Sequence, residues 1–101
     1  MRKVTRTVCE SFLSRQPKTL GNTHTDGNCL WLHGNKIAEH QADGSVELSL
    51  ASWGTPTTRE RVNGVCDLMG LGRPFYQHNH CQYFDNREIG TSEIVTVRRP
   101  E

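Results

Sequence analysis

Lys18-Thr19-Leu20-Gly21-Asn22-Thr23-His24-Thr25-Asp26-Gly27-Asn28-Cys29-Leu30-Trp31-Leu32-His33-Gly34-Asn35-Lys36-Ile37-Ala38-Glu39-His40-Gln41-Ala42-Asp43-Gly44-Ser45-Val46-Glu47-Leu48-Ser49-Leu50-Ala51-Ser52-Trp53 is the stretch whose reading decides the fold. Four short β-prone runs are separated by Asp26-Gly27, Gly34-Asn35 and Asp43-Gly44. Asp-Gly suits a type I′ turn and Gly-Asn a type II′ turn, because each places a residue tolerant of positive φ where the turn needs it. The reading is a four-stranded antiparallel meander over residues 18–53.

Counting outward from the turns gives a register. Leu32 then faces Ile37, Trp31 faces Ala38, Cys29 faces His40, His40 faces Glu47, Glu39 faces Leu48, and His24 faces Cys29. Side chains alternate with period two, so the two faces separate. Leu30, Leu32, Ile37, Val46, Leu48 and Leu50 make the core face. The other face carries His24, Cys29, Trp31, His33, Ala38, His40, Glu47 and Ser49. Glu39 falls among the core residues, which does not fit this pattern.

The flanks supply helices and a hairpin. Thr7 precedes Glu10 at capping-box spacing, and Val8, Cys9, Phe12 and Leu13 recur at helical intervals, predicting a helix over about residues 5–15 within an N-terminal segment 1–17. Gln16-Pro17 ends it, since the residue before proline disfavours helical angles. Thr57-Thr58-Arg59-Glu60 offers a second capping box, followed by a stripe of Val62, Val65, Cys66 and Met69. Gly70 closes that helix within the segment 57–70, with Leu71 set for the accompanying apolar contact. Gly64 inside it predicts a close approach of helix to sheet. Residues 74–97 read as a hairpin turning at Asn79-His80, with Phe75 opposite Phe84 and Tyr76 opposite Tyr83, and then a last strand. The whole is an α+β fold: a four-stranded antiparallel meander packed by one main helix, with a short N-terminal helix and a C-terminal hairpin, in a single small domain of 101 residues.

Composition narrows the function. Hydrophobic content of 34% supports one modest core, and the formal charge is only +1. Arg2, Lys3, Arg6, Arg15 and Lys18 against Glu10 give residues 1–18 a charge of +4 and leave −3 for the rest. No apolar run approaches the ~20 residues of a membrane span, and no signal-peptide pattern is visible. Cys9, Cys29, Cys66 and Cys81 form no familiar disulfide framework, so reduced thiols in a cytoplasmic protein are expected.

Gly21-Asn22-Thr23-His24-Thr25-Asp26-Gly27, Leu32-His33-Gly34-Asn35-Lys36-Ile37-Ala38, Leu48-Ser49-Leu50-Ala51-Ser52-Trp53-Gly54-Thr55 and Thr57-Thr58-Arg59-Glu60-Arg61-Val62-Asn63-Gly64 together resemble a family of short, uncharacterised bacteriophage-encoded proteins. The resemblance covers roughly residues 10–90, and His78-Asn79-His80-Cys81 departs from it. It brings no activity, fold or catalytic residue with it. It implies a setting, a phage or prophage product in the host bacterial cytoplasm.

Three chemistries are open to these residues. His24, Cys29, His40 and Glu47 form a row of zinc-ligand types across the expected sheet, but its ends lie roughly 14 Å apart, whereas zinc gathers all donors within about 2.3 Å. His78, His80 and Cys81 make a second cluster with no ligand-like spacing. No cofactor is therefore expected, and a small metal-binding domain is kept only as an alternative. Cys29 beside His24 or His40 meets the first demand of a Cys-His pair, but no oxyanion donors or orienting group can be named, so an enzyme is not expected. Binding remains. A small accessory protein that binds and modulates a host bacterial protein would use Asn22, Trp31, His33 and Lys36, with Trp31 as anchor. A homodimer could reuse that same patch. The alternative is a nucleic-acid-binding module using Arg2, Lys3, Arg6, Arg15 and Lys18, helped by Arg59, Arg61 and the Tyr76/Tyr83 pair.

Overall fold

The computed structural model describes residues 1–100. Helix α1 spans Lys3–Leu13 and α2 spans Pro56–Leu68. The strands are β1 Lys18–Leu20, β2 Thr23–Thr25, β3 Cys29–Leu32, β4 Asn35–His40, β5 Val46–Leu48, β6 Phe75–His78, β7 Cys81–Phe84, β8 Arg87–Ile89 and β9 Val95–Val97. The fold is α+β. One antiparallel sheet has the order β1-β2-β3-β4-β5-β9, and β6-β7-β8 form a second. The expected meander is present, with its first run split at Gly21-Asn22 into the antiparallel pair β1 and β2 and with β9 added beyond β5.

The register differs from the one counted from the dipeptides, and one residue explains most of the difference. The β3–β4 turn is His33-Gly34, both at positive φ (51° and 80°), so Leu32 pairs with Asn35 and Trp31 with Lys36. Type I′ geometry needs positive φ at both central residues, and His33-Gly34 supplies it one position earlier than Gly34-Asn35. The register then shifts between Leu30 and Trp31. Ile37 is the extra residue, a β-bulge that returns the apolar pair Ile37 and Ala38 to the interior. Beyond the bulge β4 is rotated by one position: Ala38 faces Leu48, Glu39 faces Glu47 and His40 faces Val46. Ala38 and His40 therefore belong to the core side and Glu39 to the open side. The misfit of Glu39 disappears.

At the β2–β3 connection four residues separate the paired Thr25 and Leu30 where two were expected, and the Asp26 carboxylate holds the turn by accepting the N–H groups of Asn28 and Cys29. His24 consequently pairs with Trp31 rather than Cys29.

Both helices pack on one face of the large sheet, where Val8, Cys9 and Phe12 of α1 and Val62, Val65 and Cys66 of α2 meet Leu30, Leu32, Ala38, Val46, Leu48, Val95 and Val97. Helix α1 begins without the Thr7 cap: Arg2 is the N-cap residue and makes no side-chain bond there. Helix α2 begins two residues before the expected box, with Thr55 capping the Thr58 N–H and Pro56 at the first helical position. Its end is as read. Gly70 at φ 85° lets Leu71 N–H reach the Cys66 carbonyl (2.9 Å) and its own N–H reach that of Asp67 (3.0 Å).

Gly64 permits a close approach to the other helix, not to the sheet. A Cβ there would collide with Thr5 Cγ2 and lie 3.3 Å from Cys9 Sγ. The hairpin pairs Phe75 with Phe84 and Tyr76 with Tyr83 as expected, and Asp85-Asn86 is a second positive-φ turn leading into β8. Asn63 on α2 joins this second sheet to the helix by donating to the Phe75 carbonyl and accepting its N–H, both at 2.9 Å.

Candidate interaction face and the residues behind it

With both helices on one side, the opposite face of the large sheet displays Thr19, His24, Trp31, Lys36, Glu39, Glu47 and Thr96, which the strand pairings bring to a common side. Trp31 is half-buried. Its ring stacks on His24 (centroids 5.2 Å apart, planes at 28°), and His24 Nδ1 meets the Thr19 hydroxyl at 2.6 Å. Lys36, opposite Trp31, pairs with Glu39 at 2.8 Å. The Lys36 ammonium, hydrogen-bonded and close by, holds the Glu39 carboxyl below its usual range. A hollow of about 290 Å³ adjoins these charges, lined by Lys36, Glu39, Glu47, Ser49, Ser52 and Ile94 among others. Ile94, 59% exposed, stands at its rim.

Of the four residues chosen from sequence, Trp31 and Lys36 sit opposite one another on this face. Asn22 and His33 join at its end instead. The His33 N–H donates to the Asn22 carbonyl (2.9 Å), and their side chains meet at 3.3 Å. Ser49 lines the hollow on the open face as expected, whereas the bulge turns Ala38 into line with the core residues Leu30 and Leu48, where it is buried. Glu39, Ile94 and Thr96 were missed. Glu39 was lost to the bulge, and the other two because β9 pairs with β5 across more than forty residues of intervening chain, a partnership no local pattern announces.

The arginines divide. Arg2, Lys3, Arg6, Arg15 and Lys18 are exposed, but Arg61, 2% exposed, lies inside the protein. Its Nε donates to Thr23 Oγ1 (2.9 Å) and its Nη1 to Thr5 Oγ1 (2.7 Å) and Glu60 Oε1 (2.6 Å). The Glu60 carboxylate also bonds the Thr5 hydroxyl and accepts the Arg2 N–H at 3.3 Å. Burial alone would raise the Glu60 carboxyl; the Thr5 hydroxyl, the Arg2 N–H and the Arg61 charge outweigh it and hold it below its ordinary value. Arg59 is engaged as well, its Nη1 reaching the Gly54 carbonyl, Gln77 Oε1 and Gln82 Oε1, each at 3.0 Å. Burial takes Arg61 away from its expected surface role, whereas Arg59 is half-buried and engages the protein through Nη1.

The register also dissolves the expected row of metal ligands. His40 lies on the core side, Cys29 pairs with Glu39, and His24 with Trp31. Among the described residues no three His, Cys, Asp or Glu side chains gather in a way that could hold an ion. Cys29 no longer has a histidine as its cross-strand partner on either side. Burial pushes the Cys9 and Cys66 thiols up to about 12, which leaves them un-ionised and unreactive.

The pieces of sequence that carry the phage resemblance thus have structural tasks: the Gly21-Asn22 and His33-Gly34 turns, the Thr55 cap, and the Glu60-Arg61-Gly64 surface against α1. The model of the Kyanoviridae Gp96 protein family matches residues 1–98. The chain belongs to the Kyanoviridae Gp96 protein family. This is a phage protein family, and the match takes in both helices and all nine strands. No curated protein and no solved structure matches the chain. Among the described residues no helix is long and apolar enough to cross a membrane.

Proposed function

We propose that this member of the Kyanoviridae Gp96 protein family is a small accessory protein that binds a host bacterial protein, a defence or nucleic-acid-processing factor for example, through the open face of its large sheet and alters that protein's activity in the host cytoplasm. One observation carries this reading: neither helix covers Trp31, which stands half-buried among His24, Lys36 and Glu39 with the Ile94 hollow close by. A large aromatic ring that is neither core nor freely solvated, ringed by polar groups, has the composition of an interface anchor. The mixed charge of the face, Lys36 beside Glu39 and Glu47, favours a protein over a phosphate backbone. The role proposed is binding, not catalysis.

The test is co-purification from phage-infected host cells with the tagged chain as bait, followed by salt titration of whatever is held. A single host protein retained at moderate salt supports the reading. Recovery of nucleic acid alone, lost steeply as salt rises, would replace it with binding through Arg2, Lys3, Arg6, Arg15 and Lys18. Recovery of a second copy alone would replace it with self-association.

A further inference from the structure

On the helix side of the sheet, away from Trp31, a cleft of about 420 Å³ opens where the β3–β4 turn meets the loop leading into α2. Leu32, Ile37 and Leu50 line its interior, Trp53 forms a wall, and His33, Asn35, Thr55, Thr57 and Thr58 supply its polar groups. We infer that this cleft is a binding site for a small, neutral, planar aromatic molecule carrying a hydrogen-bond acceptor, stacked on Trp53.

Four observations converge on that class. The volume lies in the range of small-molecule sites, which are apolar with a few placed polar groups. Among the described residues no Asp, Glu, Lys or Arg lines the cleft, so a charged ligand would find no counter-charge there. Trp53 is 56% exposed although Leu32, Ile37 and Leu50 beside it are buried; a flat ring laid on it would cover the indole and extend the same apolar surface. The chain holds Trp53 there at a steric cost, because Ala51 and Ser52 before it both adopt positive φ (54° and 71°), a conformation that side chains with a Cβ disfavour. Three bonds fix that turn: Ala51 N–H to Ser49 Oγ (3.0 Å), Ser52 N–H to the Thr91 carbonyl (2.8 Å) and Trp53 N–H to the Leu50 carbonyl (2.9 Å). Such strain recurs where a side chain is presented for use.

The acceptor requirement follows from the start of α2. Pro56 has no N–H and Thr55 Oγ1 takes that of Thr58, so Thr57, which lines the cleft, carries the first-turn N–H without an intrahelical partner. The cleft adjoins the end of the proposed partner-binding face at His33, but Trp31 is not part of it.

The test is NMR titration of the full chain with quinoline, a neutral aromatic ring bearing one acceptor, alongside cyclohexanol and naphthalene-2-sulfonate. The expected result is saturable shifts at the Trp53 indole N–H and at His33, Asn35 and Thr57, with affinity falling about tenfold or more in Trp53→Ala. Trp53→Phe should retain binding. Cyclohexanol, which has no aromatic face, should bind up to about tenfold more weakly than quinoline, the loss of one stacked contact, and naphthalene-2-sulfonate, which can stack but brings a charge that no lining residue answers, should also bind more weakly. Equal affinity for all three probes, shifts mapping elsewhere, no saturable shift, or quinoline binding undiminished in a folded Trp53→Ala would each overturn the assignment.

Discussion

The imidazole of His40 stacks on the ring of Phe12, centroids 4.2 Å apart, and its Nε2 lies 2.7 Å from the carbonyl oxygen of that same residue. A carbonyl only accepts, so Nε2 carries the proton and donates. His40 thereby ties β4 to the C-terminal turn of α1, a position it reaches only because the Ile37 bulge turns the second half of the strand over. His40→Ala removes the stack and the bond together and should cost about 1–3 kcal/mol in urea unfolding. An unchanged midpoint would mean that His40 faces solvent and that the bulge is absent.

Arg61 should be among the most sensitive positions in the chain. It is a buried cation whose donors are satisfied by Thr23, Thr5 and Glu60. Removing one partner of a buried ion pair leaves the rest of the network unpaired, so Arg61→Ala should destabilise by about 3–5 kcal/mol. Arg61→Lys should recover little, since one ammonium cannot reproduce the fork. Urea unfolding of both variants checks this, and full rescue by lysine would contradict the geometry.

Gly64→Ala tests the packing of α2 on α1. Helix propensity favours alanine by about 1 kcal/mol, but its Cβ would collide with Thr5 Cγ2. Overpacking of this kind costs about 1–3 kcal/mol, so the substitution should be net destabilising. Thr5→Ser deletes that methyl and keeps the hydroxyl that serves Arg61 and Glu60. In a Thr5→Ser background Gly64→Ala should therefore lose most of its penalty, and additive effects in the double-mutant cycle would refute the contact.

Acid should weaken the fold through Glu60 and Asp43. Glu60 titrates in the folded protein below its ordinary value of 4.5. The Ser45 hydroxyl and N–H, with Arg98 beyond them, bring Asp43 from 3.8 to about 2. Both carboxyls are protonated first in the unfolded chain as pH falls. Their stabilisation is thus complete above about pH 4.5 and is lost as pH drops through the folded values. Unfolding midpoints should be level from pH 7 to 5 and fall below that, and Glu60→Gln should lower the plateau and flatten the decline. A decline of unchanged steepness in Glu60→Gln would remove that residue from the account.

The parts of this fold legible in the sequence were those set by local chemistry. The Phe75/Phe84 and Tyr76/Tyr83 pairings, the Gly70 cap and the Val62-Val65-Cys66-Met69 stripe each depend on residues close in the chain, and each is as read. The face of β4 was not legible. A bulge adds one residue without any required composition at Ile37, and a period-two pattern cannot reveal a step of one. Arg61 was misread for a related reason: a charged residue at a helix position announces solvent unless its hydroxyl and carboxylate partners, supplied by Thr5 on α1 and Thr23 on β2, are known to be there. Trp31 and Lys36 kept their places on the open face because they lie on the turn side of the bulge, and Asn22 and His33 moved to its end with the His33-Gly34 turn.

Trp31 carries the central claim. As a half-buried residue on a face that neither helix covers, it should tolerate alanine at about 1 kcal/mol or less, against the 3–5 kcal/mol of an aromatic core truncation. The most direct measurement is the amount of host protein retained by Trp31→Ala relative to the unaltered chain, both shown to be folded, in parallel co-purifications from infected cells. The account predicts that a host protein held by the unaltered chain is lost from the variant while the unfolding midpoint hardly moves. Equal retention by a folded Trp31→Ala would contradict it.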